Sequence, residues 1–378
     1  MSGGALPSGG ACEARWPMAL RDQPVLVAPD SFKGTLSART VAAAVARGLQ
    51  RAGLATDLAP VADGGEGTLD VLGEWLGCEL VQLTTTDPLG RAVVASFGLL
   101  GDGTTAMVEV ASASGLALVA PEERDAEAAS SAGTGELIAA ALEAGASHVF
   151  VAAGGSATTD GGAGAIAALE AAGGVGDARL TVLCDVRTPF EDAAAVFAPQ
   201  KGADQAAVAR LSARLEACGL PRGVPMSGAA GGLAGGLWAR FGAQLVGGAA
   251  FVLDALHFDR RIGRSCAVVV GEGRLDPTSL QGKIAVEIAG RARQHGVAGH
   301  AIVGSCQLDA DDVEALGLRT IHEATDERSI EAAAVLLADV ILDSRHTRAR
   351  VARVVESPRP SPKLKQRRNH YESTETED

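Results

Sequence analysis

The chain has 378 residues and a formal net charge of −13 at pH 7, from 33 basic and 46 acidic residues. A single hydrophobic core rarely extends over this length, so the sequence predicts a globular protein of two domains. The acidic balance argues against a nucleic-acid-binding protein, because that class presents a basic face to phosphates.

The two ends of the chain are predicted to be disordered tails. Residues 1–22 are rich in Gly, Ala and Ser and lack the continuous apolar segment of a signal peptide. Residues 356–378 are Pro-rich, then basic, then acidic. Apolar runs fall short of the ~18 residues that a membrane span needs, and the six cysteines contain no C-x-x-C pair. We therefore expect a cytoplasmic protein with buried, reduced thiols and no membrane partner.

After the first tail, strand, loop and helix occur twice in succession, which is typical of a parallel α/β layer. An apolar run at Pro24–Ala28 predicts a buried strand, and Ser37 is the expected N-cap of the helix that follows. Gly53 suits the position just after that helix. A second strand is predicted at Leu58–Ala62, before another helix.

The pattern then changes to consecutive strands at Glu79–Thr85, Ala92–Leu100 and Thr105–Val110. Short turns between them predict an antiparallel meander, and hence a second unit. Helices and strands alternate again at Gly135–Ala144, His148–Ala153, Ala163–Ala172 and Leu180–Asp185.

A Gly/Ala-rich stretch at 226–248 is predicted to form a tightly packed helix, because its larger apolar residues lie three to four apart. From Cys266 the α/β alternation returns, with strands at Val268–Val270 and His300–Gly304. The predicted fold class is therefore α/β. Residues 23–80 plus 260–355 form a Rossmann-like parallel-sheet domain, and residues 81–259 form a mixed α/β domain inserted into it.

Several predicted strands end in loops rich in Gly, Asp, Ser and Thr, where open α/β sheets bind their ligands. The richest loop spans 154–164, and its small residues and hydroxyls favour a phosphate cradle. Within it, Gly162-Ala163-Gly164-Ala165-Ile166-Ala167 matches the dinucleotide pattern G-x-G-x-x-[GA], a weak signal in a chain with 48 glycines.

The other strand-end loops carry charged residues. Lys33 lies near a helix start, where a lysine gains nothing from the helix dipole unless an anion lies between them. Asp63 and Glu66 lie in a Gly-rich loop. Asp185 ends a buried strand, where a carboxylate can accept a proton from a substrate hydroxyl.

The loop after the strand at Val268–Val270 carries two carboxylates, Glu272 and Asp276. One or two carboxylates together with nucleotide phosphates form a common Mg²⁺ site. Arg274, Lys283 and Lys201 are the candidate cations for an anionic ligand.

Ten motifs between Val25 and Gly304 resemble, in order, those of the class I glycerate kinases. They are Ala28-Pro29-Asp30-Ser31-Phe32-Lys33-Gly34, Ala62-Asp63-Gly64-Gly65-Glu66-Gly67-Thr68, Ala113-Ser114-Gly115-Leu116, Ser131-Ala132-Gly133-Thr134-Gly135-Glu136-Leu137-Ile138, Gly154-Gly155-Ser156-Ala157-Thr158, Asp160-Gly161-Gly162-Ala163-Gly164, Cys184-Asp185-Val186, Pro199-Gln200-Lys201-Gly202-Ala203, Gly228 to Gly232, and Gly271-Glu272-Gly273-Arg274-Leu275-Asp276.

This resemblance implies the glycerate kinase type I architecture, with the active site in a cleft between the two domains. It also implies ATP-dependent phosphorylation of D-glycerate, usually at the 2-hydroxyl to give 2-phosphoglycerate. The chain departs from the family in a shorter stretch between Ala172 and Leu180, in Thr159 where Asn is common, and in its two tails.

On this reading Asp185 and Lys33 are the catalytic residues, Glu272 and Asp276 hold Mg²⁺, and ATP is the phosphoryl donor. The expected partner is the small-molecule substrate, and the chain is a monomer or homodimer. The predicted nucleotide- and substrate-binding residues are Asp30, Ser31, Asp63, Glu66, Gly154, Gly155, Ser156, Thr158, Asp160, Lys201, Arg274 and Lys283. Two alternatives stay open: an NAD-dependent hydroxy-acid oxidoreductase that uses the Gly162 loop, and a non-catalytic metabolite sensor.

Overall fold

The structure, a computed structural model, describes residues 23–32, 34–277, 279–281 and 283–355. Both predicted tails lie outside these residues, and so does Lys33. The strands of the described chain are β1 (Val25–Pro29), β2 (Thr56–Leu58), β3 (Glu79–Thr86), β4 (Ala92–Leu99), β5 (Thr105–Glu109), β6 (His148–Ala153), β7 (Arg179–Cys184), β8 (Gln244–Gly247), β9 (Ala267–Glu272), β10 (Ala298–Val303) and β11 (Leu318–Glu323).

The helices of the same residues are α1 (Ala38–Arg51), α2 (Thr68–Leu76), α3 (Val110–Ser114), α4 (Ala132–Glu143), α5 (Ala163–Ala171), α6 (Ala193–Phe197), α7 (Gln205–Ala217), α8 (Leu233–Phe241), α9 (Gly248–Ala255), α10 (Phe258–Ile262), α11 (Ile284–Gln294), α12 (Ala310–Leu316) and α13 (Glu327–Val355). In the part of the chain that is described, none of them is long and apolar enough to cross a membrane.

The first sheet is parallel and takes its five strands from both ends of the chain, in the order β11-β10-β9-β1-β2. Numbered by appearance and read from the other edge, this is the doubly wound order 2-1-3-4-5. The strand order reverses between β1 and β9, and ligands of such sheets bind beyond the strand ends at that point. The predicted α/β fold class is confirmed.

Helices cover both faces of this sheet, so its central strands β1, β9 and β10 are buried along almost their whole length instead of alternating. Val25 and Val27 pack with α1 and α13 on one face. Leu26 and Ala28 pack with α2, α9 and α11 on the other. The predicted N-cap of α1 is confirmed, because the Ser37 hydroxyl accepts a hydrogen bond from the N–H of Thr40 at 3.2 Å.

The second sheet is mixed and follows the chain, in the order β3-β4-β5-β6-β7-β8. The antiparallel meander of β3, β4 and β5 is confirmed, whereas β5, β6, β7 and β8 run parallel to one another. The carboxyl ends of these four strands therefore lie at one edge of the sheet.

The predicted domain boundaries remain a proposal, which the membership of the sheets supports. The first sheet uses residues 25–58 and 267–323, and the second uses residues 79–247. Helix α9 lies within the predicted insert, yet Val252 and Leu253 pack into the same hydrophobic cluster as Leu26 and Val270 of the first sheet. The two units thus share part of one core.

Three details of the prediction were wrong. The second strand is Thr56–Leu58 and not Leu58–Ala62, although the N–H groups of Ala59 and Val61 still donate to the carbonyls of Val27 and Pro29 in β1. In the Gly/Ala stretch the helix begins only at Leu233, because Ala230 and Gly231 adopt left-handed conformations. The described cysteines are free thiols as expected, but Cys218 is exposed at the end of α7.

Candidate active site

Three adjacent strand ends of the second sheet meet one glycine-rich loop of the first unit, residues 63–67. A Cβ added to Gly154, just after β6, would lie 2.6 Å from the Cα of Gly65 and 3.3 Å from Oδ2 of Asp185, just after β7. A Cβ on Gly64 would overlap the Cα of Gly248, just after β8. Only glycine fits at these crossings, so the two units approach backbone to backbone beside Asp185.

Glu66 completes this group from the first unit. A Cβ on Gly155 would lie 3.4 Å from Oε2 of Glu66. Asp63 is buried, and its Oδ1 accepts a hydrogen bond from the N–H of Gly65 at 3.1 Å. The carboxylate of Asp63 therefore shapes the loop, while the Glu66 side chain reaches the glycines of the opposite unit.

Lys201 lies beneath the 154–158 loop and does not line the open cleft. It is only 3% exposed, and its Nζ donates hydrogen bonds to Oγ of Ser156 at 3.0 Å and to the carbonyl of Thr158 at 2.5 Å. Burial lowers the pKa of the Lys201 ammonium to about 8, and the charges of Asp160 and Asp185 oppose that shift. Lys201 thus supports the loop and adds positive charge below Asp185.

Asp160 has its carboxylate occupied by the protein itself. It accepts hydrogen bonds from the N–H and hydroxyl of Ser131, at 2.9 and 2.8 Å, and from the N–H groups of Gly162 and Gly164, both at 3.0 Å. These contacts tie the start of α5 to the start of α4. They also engage the amides that a dinucleotide pyrophosphate would need at this helix start.

The same loop carries two buried threonines. Among the described residues, the hydroxyls of Thr158 and Thr159 have no hydrogen-bond partner. A buried hydroxyl without a partner costs about 1–3 kcal/mol. Thr158 and Thr159 therefore each carry a buried hydroxyl that the described protein groups leave unsatisfied.

A cavity of about 630 Å³ lies at the switch point of the first sheet, beyond the ends of β1, β9 and β10. Ser31 lines it on the β1 side, and Arg274 and Lys283 supply positive charge. Gln200 reaches the cavity from the second unit. Because Gln200 precedes the buried Lys201, one short turn connects this cavity to the group around Asp185.

Glu272 and Asp276 face the same cavity. Nζ of Lys283 forms an ion pair with Oε1 of Glu272 at 3.0 Å, and Oδ1 of Asp276 accepts a hydrogen bond from the N–H of Ser279 at 3.3 Å. Within the described ranges, three or more His, Cys, Asp or Glu side chains do not gather into a metal site. Two carboxylates beside a space for phosphates nevertheless fit Mg²⁺, which takes most of its ligands from water and phosphate oxygens.

A second cavity, of about 470 Å³, opens between the two units and adjoins the first at Ser31 and Thr35. Asp30 and Glu66 line it from the first unit, and Glu109 lines it from the end of β5. The predicted residues therefore form two neighbouring groups, one around Asp185 and one around Arg274, while Lys33 lies outside the described residues.

Glu109 and Gln200 did not appear among the predicted site residues. Glu109 is the last residue of a buried strand, and Asp185 directly follows one. The strand of Glu109, however, was predicted to belong to an antiparallel meander. Because β5 pairs in parallel with β6, its end lies on the ligand edge. Gln200 lies in a motif that the sequence analysis identified, but the charged neighbour Lys201 was predicted as the binding residue of that motif instead.

Replacing Lys201 with methionine should destabilise the fold by about 1–3 kcal/mol, because Ser156 and Thr158 would keep buried acceptors without a donor. Denaturant unfolding measures this loss. The control is Arg222→Met, which removes an exposed ion pair to Glu216 and should leave the unfolding midpoint unchanged. Equal midpoints for both variants would contradict the supporting role of Lys201.

Comparisons with known proteins identify the family of the chain. A model of the glycerate kinase family matches residues 25–174 and 170–356. Glycerate 2-kinase of Escherichia coli (strain K12) is 37% identical over 342 residues, covering 79% of this chain and 89% of that protein. Glycerate kinase of Bacillus subtilis (strain 168) is 36% identical over 371 residues, covering 87% and 96%.

A solved structure extends the similarity to three dimensions. The crystal structure of the protein assigned as glycerate kinase 2 in Salmonella typhimurium LT2 superposes with a TM-score of 0.67 at 33% identity, covering 88% of this chain and 99% of that chain. The family match spans most of the chain, and these relatives cover 79–88% of it. The chain therefore belongs to the glycerate kinase family and is a kinase.

Proposed function

We propose that this kinase transfers the γ-phosphoryl group of ATP to the 2-hydroxyl of D-glycerate, giving 2-phosphoglycerate. The main support is the presence of two groups linked by the turn that holds Gln200 and Lys201: a cavity with cations and carboxylates at the switch point, and the strand-end carboxylate Asp185 beside Gly154. The name of the Escherichia coli relative, a glycerate 2-kinase, supports the choice of acceptor and of hydroxyl.

The cavity of about 630 Å³ is the proposed site of the ATP phosphates. Its position beyond β1 and β9 is where doubly wound sheets bind nucleotides. Arg274 and Lys283 supply the positive charge that a polyphosphate needs in a protein with a net charge of −13. Glu272 and Asp276 would hold Mg²⁺ there, and the ion would neutralise charge on the phosphate oxygens.

Asp185 is the proposed acceptor of the proton from the glycerate hydroxyl. A carboxylate in this role must be held within hydrogen-bond reach of the attacking oxygen, and the close packing of Gly65 against Gly154, next to Asp185, supports such positioning. Lys201 contributes from below, since its buried ammonium and the carboxylate of Asp185 are close enough to attract each other. Catalysis would then consist mostly of positioning and charge stabilisation, as in other phosphoryl transfers.

Incubation with ATP, Mg²⁺ and D-glycerate tests the proposal, with ADP release followed by a coupled assay and the product position determined by phosphorus NMR. L-Glycerate serves as the control acceptor. We expect ADP and 2-phosphoglycerate in equal amounts. The 3-phosphate would contradict the choice of hydroxyl.

Two companion measurements, glycerate binding and an assay with nicotinamide in the absence of ATP and coupling enzymes, separate the two alternatives. Glycerate binding without ADP release would favour a metabolite sensor. A nicotinamide-dependent absorbance change with hydroxy acids would favour an oxidoreductase, although Asp160 already engages the amides of Gly162 and Gly164 that such an enzyme would offer to its cofactor.

A further inference from the structure

Glu109 forms a hydrogen bond from one unit to the other. It is the last residue of β5 in the second sheet, and its Oε1 accepts from the N–H of Leu69 at 2.7 Å. Leu69 lies in the first turn of α2, whose N-cap Gly67 has no side chain to offer. The carboxylate of Glu109 therefore caps a helix 40 residues away in the chain.

The loop that leads into α2 also contacts the second unit. Within this loop, Gly65 packs against Gly154, and the N–H of Glu66 would lie 3.5 Å from a Cβ on Gly154. A movement at the start of α2 therefore reaches, within a few residues, the backbone that packs against Gly154, and a Cβ on Gly154 would lie 3.3 Å from Oδ2 of Asp185.

We infer that Glu109 is a positioning residue for phosphoryl transfer: by capping α2 from the opposite unit, it keeps loop 63–67 packed beside Asp185. This inference rests on the proposed function for its effect on the reaction. The cap itself is a property of the fold and can be tested separately.

The ionisation of Glu109 strengthens the argument. Burial raises the pKa of the Glu109 carboxyl to about 7; the N–H of Leu69 opposes the rise, and the charges of Asp70 and Glu66 add to it. In the described chain, Asp30 and Arg39 are the other charged groups that line the cavity of about 470 Å³ next to Glu109. Because folding raises this pKa from the ordinary value of 4.5, the folded region around Glu109 is most stable at low pH and loses stability as the pH rises from 4.5 to about 7, even though the N–H of Leu69 itself favours the ionised carboxylate.

Two variants of Glu109 separate its cap from its charge. Glu109→Gln keeps an oxygen acceptor and loses the charge, whereas Glu109→Leu loses both. Hydrogen exchange of the amides between residues 65 and 72, corrected for intrinsic rates, is measured at pH 6 and pH 8.5 together with kcat and KM. Glu143→Gln, at the exposed end of α4, is the matched control.

We expect Glu109→Leu to exchange faster at both pH values and to lower kcat by about 10- to 100-fold, with a smaller change in the KM for ATP. In Glu109→Gln, exchange should become independent of pH, and kcat at pH 6 should stay near that of the wild type. The control should match the wild type throughout.

The inference would be overturned if Glu109→Leu showed the same exchange rates and the same kcat as the wild type. A pH-dependent exchange that persists in Glu109→Gln would overturn the role assigned to the charge. If the wild type shows no activity with ATP and D-glycerate, the proposed function fails, while the exchange data still decide whether Glu109 caps α2.

Discussion

Replacing Asp185 with asparagine should lower kcat by about 10²- to 10⁴-fold while the protein stays folded. Asparagine has nearly the same shape as aspartate, so the packing against Gly154 should persist. What it lacks is the ability to accept a proton from the glycerate hydroxyl. Steady-state kinetics measures the loss, and thermal unfolding shows whether the fold is retained.

Asp177→Asn is the matched control for this experiment, because Asp177 is exposed near the opposite end of β7. Its turnover should equal that of the wild type. If Asp185→Asn kept near-normal turnover, Asp185 would not be the base, and the proton would have to pass directly to the phosphate or to another group. A loss of turnover accompanied by unfolding would count instead as a structural effect.

Replacing Gly154 with alanine should reduce kcat/KM by about 100-fold, since a displacement of 1 Å at a reacting group can cost that much. The new methyl group would lie 2.6 Å from the Cα of Gly65, which is backbone and cannot rotate away. It would also lie 3.3 Å from the Asp185 carboxylate. The two units must therefore separate slightly, at a cost to folding of about 1–3 kcal/mol.

Gly247→Ala is the control for Gly154→Ala. Gly247 also ends a strand of the second sheet, and a Cβ there meets no atom within 4 Å. Its kcat/KM and unfolding free energy should remain close to those of the wild type. If the Gly154 variant were as active as the control, the close approach of the two units would not matter for the reaction.

Local signals were sufficient for many of the elements. The helix α1 was predictable because all its signals lie within 17 residues. They are the N-cap Ser37, the apolar residues Val41, Val45 and Leu49 at four-residue spacing, and Gly53 after the helix. The glycine loops at strand ends were equally visible. By contrast, the strand β8 and the late start of α8 were missed. For α8 the cause is a long-range contact, because close packing against Thr158 imposes the left-handed turn at Gly231.

The candidate site was likewise predictable only in part from the sequence. The sequence singled out Asp185, Lys201 and Glu272 from their places at predicted strand ends and in charged loops. It did not show that Lys201 is buried under a loop, or that Glu272 is paired with Lys283. It also missed Glu109, because the pairing direction of β5 is set by a partner strand some 40 residues further along.

By itself, therefore, the sequence determined the α/β alternation, the glycine-rich strand ends and the resemblance to one kinase family. These depend on periodicity, caps and motifs, whose physical causes lie within a few residues. Only the tertiary structure decided which strand ends meet, which charges are buried and which carboxyl has a pKa near neutrality. Burial and electrostatic fields come from residues that are distant in the chain and close in space.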